Sequence, residues 1–343
     1  MRLSAFNYPL SHDRIAQHPL PERDRSRLLV FDRKTGRVEH RIFSDLIHFL
    51  EPTDILVIND TRVWPARFSA MKIPTGGRIE ILLIRPFLEG GWEALVQGKP
   101  KAGQMLKIGD QLTARIQTVS GPGRVHLVDL ENDAVKTVSQ RFGKTPLPPY
   151  IHRDNGVYEA QDRQRYQTVY AEKEGSIAAP TAGLHFTEGL LKRIQAHGVK
   201  TIPVTLHIGP GTFQSVRAEI ISDHRMEPEY FEVSMQSVQS IWEAKRCGHR
   251  IVAIGTSTVR VLESLKLGDT TATPQHGWTR LFIFPGFRFK IVDVLVTNFH
   301  LPRSTLLMLV AAFAGCEPLL KVYEEALAQG YRFASYGDAM LIL

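Results

Sequence analysis

Cysteine is almost missing. Cys247 and Cys316 are the only two in 343 residues, too few and too far apart for a disulfide framework or a cysteine-based zinc site, which fits a reducing compartment. Long apolar runs are missing as well: the most apolar stretch, Leu306 to Ala314, is about half of what a bilayer crossing needs and reads as a buried helix. Residues 1–20 mix Arg, His, Asp and Pro with no apolar core, so no secretion signal is expected, and the expected setting is cytoplasmic with no membrane partner. HExxH, CxxC and EF-hand patterns are absent, so no metal is expected. Gly209-Pro210-Gly211-Thr212 begins like a dinucleotide fingerprint without completing it, and Gly143-Lys144-Thr145 runs into Pro146, which would block the helix a P-loop needs. Neither a Rossmann cofactor nor nucleotide hydrolysis follows, and no prosthetic group is expected.

What is present is an ordinary globular composition, 43% hydrophobic and 22% charged, in a chain long enough for two cores. Residues 1–67 carry a strand Leu28 to Phe31, a helix-like Phe43 to Leu50, and the apolar strand Ile55 to Ile58 of a doubly covered sheet. From about Phe68 the texture changes to short alternating segments, among them Arg78 to Ile84, Trp92 to Val96, Gln111 to Val119 and Arg124 to Leu130, with no credible helix. That spacing predicts a small antiparallel barrel over 68–146. After it, helices (188–197, 236–246, 257–265) alternate with strands (200–207, 250–254). The expected architecture is an α/β main domain of residues 1–67 and 147–343, with a mixed or parallel sheet and flanking helices, carrying an inserted β-barrel.

Polar clusters fall where strands end, the place where open α/β sheets hold ligands. Asn59-Asp60-Thr61-Arg62 follows a buried strand, although Asn59 and Asp60 equally suit a turn cap. Thr181-Ala182-Gly183-Leu184-His185 joins a flexible glycine to a side chain that titrates near neutrality; a structural histidine is the plainer reading. His207, Gly209 and Gly211 let a backbone approach a ligand closely, or make a tight turn. Nearby Glu227 and Glu229 are possible acids or bases, or surface charges. Thr256 and Ser257, with Arg260, open a helix whose N–H groups suit an anion, unless they merely cap it. Asn298 and His300, then Tyr336 and Asp338, complete the candidates for substrate contact and proton transfer.

The net charge of +7 favours a polyanion without proving one. Arg163, Arg165 and Tyr166, and the run Phe287-Arg288-Phe289-Lys290, interleave cations with aromatics as single-stranded RNA recognition requires, while a solvated charged face is the default for each.

Read in order, Asn59-Asp60-Thr61-Arg62-Val63, Pro148-Pro149-Tyr150-Ile151, Arg165 to Ala171, Ala179 to Thr187, Thr297 to Ser304 and Tyr331 to Asp338 resemble one family, the S-adenosylmethionine:tRNA ribosyltransferase-isomerases of the queuosine pathway. The resemblance runs from Tyr8-Pro9-Leu10 to the last residues and implies an α/β domain with an inserted barrel. It also implies transfer and isomerisation of the ribosyl part of S-adenosylmethionine, as co-substrate, onto 7-aminomethyl-7-deazaguanine in a tRNA anticodon stem-loop, giving epoxyqueuosine, adenine and methionine. The expected protein acts as a monomer. For that chemistry Asp60 or Asp338 suits a place beside the cationic sulfur, and His185 or His300 suits proton transfer. Two departures stand out: Pro210 follows Gly209 where the family has another residue, and Glu227 stands where it commonly has histidine. A non-catalytic RNA-binding protein and a conventional RNA methyltransferase are the rival readings.

Overall fold

The computed structural model describes the chain except for residues 88, 110, 154–157, 214–215 and 267–272. Four strands form its parallel centre: β3 (Ile55–Asn59), β12 (Lys200–Leu206), β14 (Ile251–Ile254) and β16 (Val294–Asn298). Every residue of β3, β14 and β16 is buried, as expected of parallel strands covered on both faces. β12 and β14 flank β3 in parallel, and β16 runs parallel to β14.

Antiparallel strands complete this nine-stranded sheet. On one side β16 pairs antiparallel with β17 (Ala339–Ile342), which runs parallel to β1 (Arg27–Phe31), and β1 pairs antiparallel with β2 (Val38–Ile42). On the other, β12 pairs with β13 (Glu229–Val233) and β13 with β15 (Gln275–Thr279). A two-stranded ribbon, β4 (Thr61–Val63) with β11 (Lys173–Ser176), lies beside it. The helices are α3 (Glu188–Ala196), α4 (Met235–Arg246), α5 (Thr256–Ser264), α6 (Thr305–Ala314) and α7 (Cys316–Ala328), with a short α2 (Glu159–Arg165). α6 is buried along most of its length, so its apolar run belongs to the core. No single described helix is long and apolar enough to cross a membrane.

Between β4 and β11 in sequence lies a closed antiparallel barrel of six strands: β5 (Arg67–Ile73), β6 (Arg78–Pro86), β7 (Trp92–Val96), β8 (Met105–Ile108), β9 (Leu112–Gly121) and β10 (Arg124–Val128). Closure leaves no sheet edge open to aggregation. Its interior is a separate apolar core around Trp64, Phe68, Leu83, Trp92 and Ile116. One expectation fails in this stretch: a helix, α1 (Asn132–Phe142), follows β10. Its buried side consists of Val135, Val138 and Ser139, too few apolar residues to print a helical period on the sequence. The helix-like Phe43 to Leu50 is a 3-10 helix, Phe43–Phe49.

Candidate functional site

The carboxyl ends of β12, β3, β14 and β16 lie at one edge of the sheet, and the turns after β12, β14 and β16 line a cavity of about 330 Å³. β14 ends in Gly255, whose φ of 88° is open to glycine and costly for other residues. α5 starts there without a side-chain cap, so its first N–H groups and the hydroxyls of Thr256 and Ser257 face the cavity as an anion-seeking end. β16 contributes Thr297, Asn298 and His300, and the short 3-10 turn Thr181–His185 contributes Thr181. Of the sequence candidates, Thr181, Thr256, Ser257, Asn298 and His300 therefore meet in one place.

Asn298 is only 2% exposed, and its Oδ1 has no partner. Its Nδ2 donates to His185 Nε2 at 3.1 Å, and His185 Nδ1 lies 2.7 Å from Ser26 Oγ. With Nε2 accepting, His185 carries its proton on Nδ1. Burial first, then Arg332 and Arg23, bring the His185 pKa down to about 3. A neutral imidazole clamped at both nitrogens and stacked on Phe43 orients Asn298. It is absent from the cavity wall. His300 does line the cavity, with Nε2 2.8 Å from Thr297 Oγ1, and burial brings its pKa down to about 3 as well.

The two aspartates serve the framework. Asp338 accepts from the backbone N–H groups of Arg27 (3.0 Å) and Arg332 (2.8 Å) and from the Arg332 guanidinium (3.2 Å). Asp60 accepts from Thr205 Oγ1 at 2.6 Å, and burial holds its carboxyl above the usual range. Neither lines any of the five main cavities. Asn59 uses its whole amide internally: Nδ2 donates to Leu206 O and Ser257 Oγ, and Oδ1 accepts from Thr61 and Leu206 N–H. It sets the Ser257 hydroxyl and has nothing left for a ligand. Gly183 is a packing glycine, since a Cβ there would strike the Tyr170 hydroxyl. Tyr336 donates to Asp162 Oδ1 at 3.3 Å and lines only a small cleft.

A second cavity, about 580 Å³, opens between the barrel and the main sheet, and His207 and Gly209 belong to it. Burial first, with Lys173 adding to it, lowers the His207 pKa, while Glu232 opposes. Ile208 and Glu229 line both cavities. Glu229 forms a buried ion pair with Arg260 and accepts from Gly209 N–H (2.9 Å) and Thr212 Oγ1 (3.2 Å). Arg260 also donates to Leu281 O at 3.0 Å. Pro210 opens a 3-10 turn, and Gly211 packs toward Glu227, where a Cβ would lie 3.1 Å from that side chain. Glu227 accepts from Arg124 of the barrel at 2.6 Å. Three of the four tryptophans in the chain, Trp64, Trp92 and Trp278, line this second cavity; they lie far apart in sequence, so no local pattern shows that they share a site.

Arg62, Arg163 and Arg165, with Arg23, line an open groove in which four arginines outnumber Glu22, Asp24 and Glu188. Tyr166, expected to stack on RNA, is 0% exposed and packs against Tyr336, so no base reaches its ring. Arg288 and Lys290 are exposed outside the described cavities, and the interleaved Phe289 packs inward on Phe313 at 4.9 Å. Among the described residues no cluster of His, Cys, Asp or Glu suits a metal ion.

The profile described as "Queuosine biosynthesis protein" matches residues 3–342. Curated proteins named S-adenosylmethionine:tRNA ribosyltransferase-isomerase from Halothermothrix orenii and Symbiobacterium thermophilum are each 49% identical, with 100% of both chains covered. A crystal structure of S-adenosylmethionine tRNA ribosyltransferase from Thermotoga maritima is 39% identical, covers 99% of this chain and 100% of its own, and superposes with a TM-score of 0.57. With that coverage and identity, the chain belongs to the S-adenosylmethionine:tRNA ribosyltransferase-isomerase family of queuosine biosynthesis.

Proposed function

We propose that this enzyme transfers and isomerises the ribosyl moiety of S-adenosylmethionine onto 7-aminomethyl-7-deazaguanine at the wobble position of a tRNA, giving epoxyqueuosine and releasing adenine and methionine. Beyond family membership, the observation that carries the reading is the first cavity. An uncapped helix end with two hydroxyls lies beside a buried acceptor that has no partner. The amino-acid end of S-adenosylmethionine supplies both complements, a carboxylate for the α5 N-terminus and an ammonium for Asn298 Oδ1.

The sulfonium acidifies the neighbouring C5′ hydrogens. A base removes one, the resulting ylide expels adenine, the amine of the modified base attacks the opened sugar, and epoxide closure expels methionine. Among the catalytic candidates Asp60, His185, His300 and Asp338, His300 has the position to exchange a proton with a bound donor, since it lines the cavity. His185 acts through Asn298 as a positioning residue. Glu229 stands on the wall common to both cavities, where its carboxylate, shared with Arg260, would face a sulfonium on one side and the incoming amine on the other.

The test is to incubate the chain with S-adenosylmethionine and an anticodon stem-loop bearing the aminomethyl base, and to follow adenine, methionine and RNA mass together. Adenine and methionine in equal amounts with a heavier RNA are expected. S-adenosylhomocysteine in their place would reveal methyl transfer, and untouched substrates with a folded chain would end the proposal.

A further inference from the structure

The second cavity is built differently from the first. β7 and β10 of the barrel and the turn after β12 form its walls, and its volume of about 580 Å³ lies within the ordinary range for small-ligand sites. Trp64 and Trp92 meet inside it with ring centroids 5.2 Å apart at 37°. Trp92 is 6% exposed, and its indole N–H is buried with no acceptor. A buried donor without a partner is rare in a folded protein and is what an acceptor on a ligand satisfies. Trp278, at 54% exposure, stands on the same cavity with the Arg85 guanidinium 4.3 Å from its ring centre.

The charges have a pattern. Glu93 holds both Arg85 and Arg124, and Glu227 holds Arg124, so these cations are engaged. Lys136, on the face of α1 that also presents Asn132 and Gln140 to the cavity, has no ion-pair partner among the described residues. Residues four apart share a helix face, so α1 offers a polar rail with a cation at its centre beside an aromatic slot.

We propose that this cavity receives the RNA's reacting nucleobase, swung out of its loop, stacked among the indoles with a ring carbonyl accepting from the Trp92 indole N–H and an adjoining phosphate on Lys136. The assignment rests on the reaction proposed above and divides its two substrates between two cavities. They meet at Ile208 and Glu229, the residues common to both walls. Aromatic stacking recognises any base, while the N–H and the nearby carboxylates select one that carries a carbonyl and a cationic arm.

The experiment is steady-state adenine release by the full chain with a modified anticodon stem-loop, in wild type and in Trp278→Ala, Lys136→Gln and Trp92→Phe. Each variant should raise the KM for RNA by about tenfold, the size of one lost stacking, phosphate or hydrogen-bond contact, and leave the KM for S-adenosylmethionine unchanged. Trp278→Ala and Lys136→Gln alter residues that are not part of a core, so the test survives if Trp92→Phe disturbs the barrel. Quenching of tryptophan fluorescence by the free base 7-aminomethyl-7-deazaguanine, diminished in Trp278→Ala, supports the same site without turnover. An unchanged KM for RNA in Trp278→Ala and Lys136→Gln, with wild-type turnover intact, overturns the docking site and leaves the reaction standing. No adenine from the wild type overturns the reaction, and quenching that persists unaltered in Trp278→Ala overturns the site independently.

Discussion

At the scale of single residues, two neighbours in space divide the work of the first cavity. Asn298 presents an unpartnered acceptor, and His185 fixes which way its amide points. Asn298→Ala removes a hydrogen bond to a charged group, worth about 1.5–3 kcal/mol, so the KM for S-adenosylmethionine should rise by roughly tenfold or more while the KM for RNA holds. Equal loss on both substrates would place Asn298 elsewhere in the mechanism. His185 and His300 have folded pKa values near 3 against an ordinary 6.5, so between those values the unfolded chain binds protons that the native chain refuses. Stability is therefore fully present above about pH 6.5 and lost as pH falls toward 3, by an amount on the order of a few kcal/mol. Urea midpoints measured from about pH 7 down to about pH 4 should fall, and His185→Gln should flatten part of that descent. A midpoint independent of pH would show that the imidazoles are protonated in the fold.

At the scale of elements, the Glu229–Arg260 pair matters most, because it ties β13 to α5 and, through Gly209 N–H, to the turn after β12. Glu229→Ala leaves a buried guanidinium without its counter-charge and should cost about 3–5 kcal/mol by denaturant unfolding. The double variant Glu229→Gln with Arg260→Met should recover much of that. If the single variant costs no more than a surface ion pair, the pair is solvated. The same contrast between lone apolar runs and dispersed contacts explains what the sequence discloses. Ile55 to Ile58 reads as a doubly covered strand and Arg250 to Ile254 as a strand because each holds an unbroken apolar run, and β3 and β14 are buried throughout. β5 is legible only weakly, since its buried positions alternate with exposed ones and include a single large apolar side chain, Phe68. The polar turns at Thr256 and Asn298 were legible as a site because they sit where strands end. The framework contacts of Asp338 and Asn59 were not legible, because a carboxylate or amide that satisfies backbone N–H groups has the same letters as one that meets a ligand. The tryptophan-lined cavity was hidden because β4's flank, β7 and β15 assemble it from three distant stretches.

At the scale of the whole molecule, the barrel and the main sheet make one wall-to-wall device, joined by Arg124 to Glu227, with a basic groove at Arg23, Arg62, Arg163 and Arg165 on another part of the surface. The arginines of that groove are not equivalent. Arg163 donates to the carbonyls of Gln140 and Gly143, and Arg165 to those of Leu20 and Pro21, so replacing either loosens the framework as well as removing charge. Arg62 is exposed and makes one hydrogen bond, to Ala171 O at 3.2 Å. It is the position at which charge is separable from stability. Phosphate contacts displace condensed counterions, so the logarithm of RNA affinity should fall linearly with the logarithm of salt concentration. Arg62→Gln should reduce the magnitude of that slope by about one, leave the denaturation midpoint nearly unmoved, and leave the KM for S-adenosylmethionine unchanged, because the first cavity contains no part of the groove. A slope identical to wild type would place the RNA backbone away from this groove, and an affinity indifferent to salt would remove RNA as the partner altogether.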